Sequence, residues 1–148
     1  MAGANAIEFR LRTESLGIGE ATTVTPYVDG VSLVELARRA EAPPAAADGQ
    51  RDLAGRYAGL VVVADRRWQD WYSGARPQVW FGDGDSCLLG CTCGDTGCWP
   101  LTARVTVGAD TVVWERFRTG HRSWDLAALG PFRFPRTAYD TALASPTS

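Results

Sequence analysis

From Ala6 to Arg12 (AIEFRLR) apolar and polar side chains alternate, the period of a strand with one buried face. Gly17 to Glu20 reads as a turn, and Thr22 to Val28 as a second strand. Pro26 has no N–H to give to a ladder, so that strand is expected at a sheet edge. Asp29-Gly30 is a tight-turn pair. Ser32-Leu33-Val34-Glu35 then has the form of a capping box, in which the hydroxyl and the carboxylate satisfy free amides at a helix start. The predicted helix runs from Leu33 to about Ala42 and buries Leu33, Leu36, Ala37 and Ala40. Pro43-Pro44 is expected to stop it, and Ala45 to Asp52 to form a surface loop.

Tyr57 to Ala64 is apolar and β-branched and predicts a further strand. Arg66 to Gly74 suits a short helical turn or a loop, Val79 to Phe81 a strand, and Gly82 to Asp85 a loop. A three-stranded meander follows, over Ser86 to Cys93, Cys98 to Val107 and Thr111 to Arg118. Pro131 to Pro135 is expected to be extended, and Arg136 to about Ala144 helical. These elements predict an α+β fold, a single domain over residues 1–148 with a mostly antiparallel sheet and two helices.

Charge narrows the class only slightly. Lys plus Arg is 15 and Asp plus Glu is 17. That balance favours neither nucleic acid nor an anionic membrane as a partner, and it leaves the partner unknown, with another protein one option. Every basic residue is Arg, against 21 Ala, one Asn and two Ile, the usage of a GC-rich bacterial genome. The longest uncharged apolar run, Leu60 to Ala64, is far short of the roughly 20 residues that cross a bilayer. The start, MAGANAIEFRLR, has no basic segment followed by an apolar one, so a cytoplasmic protein is expected. In a reducing compartment its four cysteines suit thiols or metal ligands better than disulfides.

The candidate chemistry lies in CLLGCTCGDTGCWPL, Cys87 to Leu101. Cys91, Cys93 and Cys98 form C-x-C-x4-C across a glycine-rich loop. Zinc takes about four soft ligands converging on one point. If Gly94 to Gly97 is a hairpin loop, Cys93 faces Cys98 and Cys91 faces Pro100, and residues two apart share a face. Cys87 lies on that face but roughly 20 Å from Cys93 along an extended strand. It joins the others only if the strand breaks at Gly90. In the next hairpin, a two-residue turn at Ala109-Asp110 sets Val107 against Val112, Val105 against Trp114 and Arg104 against Glu115, a favourable cross-strand pair. Continuing that register brings His121, the only histidine, opposite Cys98. A three-residue turn instead sets it beside Gly97. The candidate ligands are therefore Cys91, Cys93, Cys98 and His121, with zinc as the expected metal. Reduced thiols packed as small hydrophobes and redox-active or disulfide-forming thiols stay open beside that reading.

CTCGDTGCWPL resembles an element of a group of uncharacterised, mainly actinobacterial proteins, C-x-C-G-x-x-G-C-W-P-L. There it is followed by a strand, an H-R pair and a G-P-F stretch, here His121-Arg122 and Gly130-Pro131-Phe132. The likeness covers the C-terminal part of the chain from Cys91 and the segment VDGVSLVEL. That group has no established activity, so the resemblance implies fold and origin rather than chemistry. The spacing is also similar to the post-SET zinc segment of histone methyltransferases, but no other part of this chain looks like a SET domain.

Other chemistry is less well supported. There is no HExxH, and a Ser-His-Asp arrangement would rest wholly on His121, with Ser123 and Asp125 nearby. A thiol nucleophile, Cys91 or Cys93 beside His121 or Arg122, is the stronger enzymatic option, although no thioredoxin-like C-x-x-C is present. Gly17 to Glu20 and Gly82 to Asp85 suit turns rather than phosphate loops, and Asp83, Asp85 and Asp95 lack a calcium-loop pattern. Trp68, Trp71, Tyr72 and Trp80, with Arg66, Arg67 and Arg76, suit aromatic packing better than a base-stacking surface. Trp99 and Trp114 are expected in the core. The expected function is thus a small zinc-binding interaction module without catalysis; the alternative is a thiol-based oxidoreductase or redox sensor.

Overall fold

The computed structural model describes residues 4–74, 85–94, 99–120 and 122–148. Strands β1 (Ile7–Leu16) and β2 (Gly19–Val28) form an antiparallel hairpin whose register runs from Leu16 opposite Gly19 to Ile7 opposite Val28. Asp29 (φ 52°) and Gly30 (φ 81°) make the next turn. Both central residues have positive φ, the geometry that matches the twist of a two-residue hairpin and explains the Asp-Gly pair. Short strand β3 (Val31–Ser32) then pairs back on β2.

Ser32 caps helix α1 (Leu33–Ala47), its hydroxyl accepting from the Val34 amide at 3.2 Å. The reciprocal half of the box is not made: the Glu35 carboxylate instead takes bonds from Arg38 and Arg39. The helix also runs through Pro43-Pro44 rather than stopping there. Those prolines remove two internal N–H donors, but the alanines after them are strong helix formers and Ala45 is fully buried. The helix ends at Gly49 (φ 69°), and the Asp48, Gly49 and Gln50 amides bond to its last carbonyls. The expected loop over Ala45 to Asp52 is thus the helix end, this turn and the start of a 3-10 turn, Arg51–Leu53.

The apolar run after Tyr57 is not one strand. Its first part, β4 (Tyr57–Ala58), pairs with β6, and its second, β5 (Leu60–Val61), pairs with β2. Strand β6 is Ser86–Cys91. The chain changes sheets at Gly59, where an added Cβ would lie 2.6 Å from both the Val24 carbonyl and the Thr25 hydroxyl. Only glycine fits so close to another backbone. Because β1 lies on one side of β2 and β5 and β3 on the other, β2 is an interior strand, not an edge. Pro26 is tolerated because pairing on the second side skips Thr25 and Pro26.

The second sheet has the order β4-β6-β7-β8-β9, with β7 Leu101–Val107, β8 Thr111–Thr119 and β9 Phe132–Pro135. The β7–β8 turn and the pairs beside it are as the sequence predicts: Val107 faces Val112, Val105 faces Trp114 and Arg104 faces Glu115. A four-residue helix, α2 (Gln69–Tyr72), and the C-terminal α3 (Arg136–Ala144) complete the α+β fold. Among the described residues no helix is long and apolar enough to cross a membrane. The expected strand over Val79 to Phe81 lies outside the described residues.

The core is an aromatic knot between the sheets. Phe9 packs on Tyr72 at 4.8 Å and Trp114 on Phe134 at 4.9 Å between ring centroids, with Tyr139 of α3 against both Phe9 and Trp114. The Trp114 indole N–H donates to the Tyr139 hydroxyl at 3.1 Å, which bonds in turn to the Tyr72 carbonyl. Trp68 is buried here too, so the tryptophan–tyrosine stretch serves packing, while Arg67 stays at the surface. Asn5 ties the far corner: its amide donates to the Arg133 carbonyl of β9, and its side chain accepts from the Arg133 amide and donates to Asp29.

Candidate functional site

Strand β6 carries a thiol near each end, and the two have different surroundings. Cys87 is fully buried in the apolar core, and its S–H donates to the Leu89 carbonyl at 3.1 Å. Burial pushes this thiol up to about 12, so it is protonated and unreactive near neutral pH. The strand does not break at Gly90, which pairs with Ala58.

At the other end Cys91 is half-buried and is the last residue of β6. The expected hairpin strand through Cys93 is not formed, because Thr92 and Cys93 turn away from the sheet. Gly94 (φ 96°) allows that turn, and its amide donates to the Cys91 carbonyl at 3.0 Å. The Cys93 amide points at the Cys91 sulfur, 3.4 Å away. The carbonyls of Thr92 and Cys93, directed out of the sheet, accept from the Gly17 and Ile18 amides, each at 3.1 Å. The tip of the β1–β2 hairpin therefore rests on the cysteine turn.

Both registers drawn from the sequence need correction at this corner. In β6–β7 Leu89 faces Leu101, one position from the expected alignment, with a shift between Cys87 and Leu89. The ladder partner of Cys91 is Tyr57 on β4, not Pro100. In β7–β8 a bulge lies between Thr102 and Arg104, where Arg116 adopts φ 58°. Beyond it Thr102 faces Arg118, Leu101 faces Thr119, and the Gly120 amide reaches the Pro100 carbonyl at 2.8 Å. A straight extrapolation from Val107–Val112 is thus one residue out by Pro100, since the bulge adds a residue to β8. Cys98 and His121 themselves lie outside the described residues.

Their chain neighbours are described and lie together. The Arg122 guanidinium is 5.6 Å from the Trp99 ring centroid and 6.0 Å from that of Trp124, and the two indoles meet edge to face at 6.2 Å. The buried Trp99 indole N–H has no hydrogen-bond partner among the described residues. Trp99 is thus half-buried beside the core rather than central to it, unlike Trp114.

Behind the corner is a polar group the sequence reading missed. The Glu41 carboxyl is buried, accepts from the Gly55 amide at 2.8 Å and bonds to the Tyr57 hydroxyl, which also meets Thr119 Oγ1 at 2.6 Å. Burial raises the Glu41 carboxyl above its ordinary range and the Tyr57 phenol above its own. Glu41 sits two positions before Pro43, in a stretch that reads as a helix end, so nothing in the sequence singles it out.

Of the other candidates, Asp85 is buried with Arg104 3.8 Å away, while Asp83, Asp95, Arg76 and Trp80 lie outside the described residues. Asp125 accepts from the Ala127 amide in a turn. Among the described residues no three His, Cys, Asp or Glu side chains converge on a common point. Compared with protein-family models, with curated proteins and with solved structures, the chain gives no match.

Proposed function

We propose that this chain is a small non-catalytic interaction module whose cysteine corner holds a structural zinc ion, with Cys91, Cys93, Cys98 and His121 as ligands. The observation that carries the reading is the Cys91–Gly94 turn. A backbone amide aimed at a half-buried sulfur, in a turn closed by a glycine, suits a metal-bound thiolate. The buried and protonated Cys87 supplies the contrast: it is a packing thiol. Contact between Trp99 and Arg122, the chain neighbours of the other two proposed ligands, supports their meeting at the same corner. Bound there, zinc would contribute folding free energy directly and fix the loop after Gly94 against the end of β8. The module would then act through the surface so positioned, with another protein as partner.

Metal content and thiol titration test this. Purified protein should carry about one zinc per chain, and reactive thiols should increase when a chelator is added. Less than about half an equivalent of zinc, or thiols equally reactive with and without chelator, overturns the reading. A reactive thiolate in zinc-free protein, titrating well below the usual value near 8.5, would instead favour a thiol oxidoreductase.

A further inference from the structure

The cysteine turn is held from outside its own sheet. The β1–β2 hairpin bonds to its main chain, from the Gly17 amide to the Thr92 carbonyl and from the Ile18 amide to the Cys93 carbonyl. We propose that this hairpin tip is a metal-responsive strap: Gly17 and Ile18 are positioning residues for the thiols, and metal binding tightens their docking. The proposal rests on the zinc reading above and adds the element that the metal controls.

Packing on both sides of the contact supports it. A Cβ on Gly17 would lie 3.0 Å from Cys93 Cα and 3.1 Å from its carbonyl oxygen. A Cβ on Gly94 would lie 2.6 Å from Ile18 Cγ1. Each chain thus presents a glycine where the other comes closest, and a side chain at either position would push the tip away. The bonded carbonyls belong to the peptide units on both sides of Cys93 Cα, so their orientation sets the direction of its Cβ–Sγ arm. Within the turn the Gly94 amide bonds to the Cys91 carbonyl and the Cys93 amide points at the Cys91 sulfur. The tip therefore orients one thiol and the turn itself orients the other.

Coupling of this kind is reciprocal. If the docked tip raises metal affinity by some factor, the metal stabilises docking by the same factor. The docked tip is also where Ile18 stays 64% exposed, so a change in docking alters an apolar feature of the surface. Zinc occupancy would then be legible to a partner through the hairpin.

Two measurements on the full chain test the strap. In the first, amide exchange is followed with and without one equivalent of Zn2+. The Gly17 and Ile18 amides should exchange at least about tenfold more slowly with zinc. The Leu11 amide, bonded to the Thr147 carbonyl further along β1, should change less than about twofold. In the second, Zn2+ affinity of Gly17→Val is measured by competition with a chromophoric chelator. It should fall about 10- to 100-fold, as for loss of a group that orients a ligand, while the Co2+ form keeps the wild-type band positions. Stoichiometric zinc binding with unchanged Gly17 and Ile18 exchange overturns the strap and leaves the zinc site standing. So does a Gly17→Val affinity within about twofold of wild type. Absence of zinc binding by the wild-type chain overturns both. Should Gly17→Val fail to fold, the wild-type exchange comparison decides alone.

Discussion

Three residues separate Cys87 from Cys91, and the same strand gives them opposite surroundings. At Cys87 β6 has the aromatic core beneath it, and the sulfur is enclosed in hydrocarbon with one carbonyl for its proton. At Cys91 the strand ends, pairing has passed from β7 to β4, and the sulfur meets a backbone amide. The first environment holds the neutral thiol; the second leaves a half-buried sulfur where the chain turns away from the sheet. Position relative to the sheet, rather than spacing between cysteines, separates a packing thiol from a candidate ligand.

The contrast can be broken or sharpened by substitutions in metal-free protein, read as changes in urea midpoint. Trp114→Ala removes the centre of the knot and should cost about 3–5 kcal/mol; a loss below about 1 kcal/mol would mean that the core end of β6 is not what holds the sheets together. Cys87→Ser puts a more polar hydroxyl in the same apolar site and should cost about 1–3 kcal/mol. A neutral result there would erase the distinction between the two thiols.

A smaller effect should come from Glu41, behind the Cys91 end. Burial raises its carboxyl above the ordinary value of 4.5, so the folded chain keeps a proton that the unfolded chain releases. The stability this contributes is complete below 4.5 and is lost as pH rises through the raised folded value. Glu41→Gln should flatten that part of the pH dependence, and parallel wild-type and variant curves would refute it. The least effect is expected from Cys91→Ser, within about 0.5 kcal/mol while no metal is present.

Much of the fold was legible because short-range chemistry fixed it. Asp29-Gly30 and Ala109-Asp110 mark turns, Arg104 and Glu115 identify each other across a hairpin, and the terminal helix begins at Arg136 as its pattern implies. What was not legible depended on distant partners. Tyr57 to Ala64 reads as one strand, because the close approach of Gly59 to Val24 has no local signature. Pro43-Pro44 reads as a stop, because burial of Ala45 is a tertiary fact. An arginine at positive φ gives no sign of a bulge at Arg116, and that bulge is why the register drawn toward His121 drifts by one. At the candidate site the cysteine spacing was visible, but the hairpin tip that grips the turn was not, since the bonds between Gly17-Ile18 and Thr92-Cys93 run between backbone atoms, which leave no mark in the sequence.

Co2+ titration under reducing conditions tests the central claim most directly, with the sulfur-to-cobalt charge-transfer band as readout in wild type, Cys87→Ala and Cys93→Ala. The account predicts wild-type band intensity per cobalt for Cys87→Ala and a clear loss for Cys93→Ala. A band that weakens with Cys87→Ala, or that survives Cys93→Ala at full strength, would contradict it.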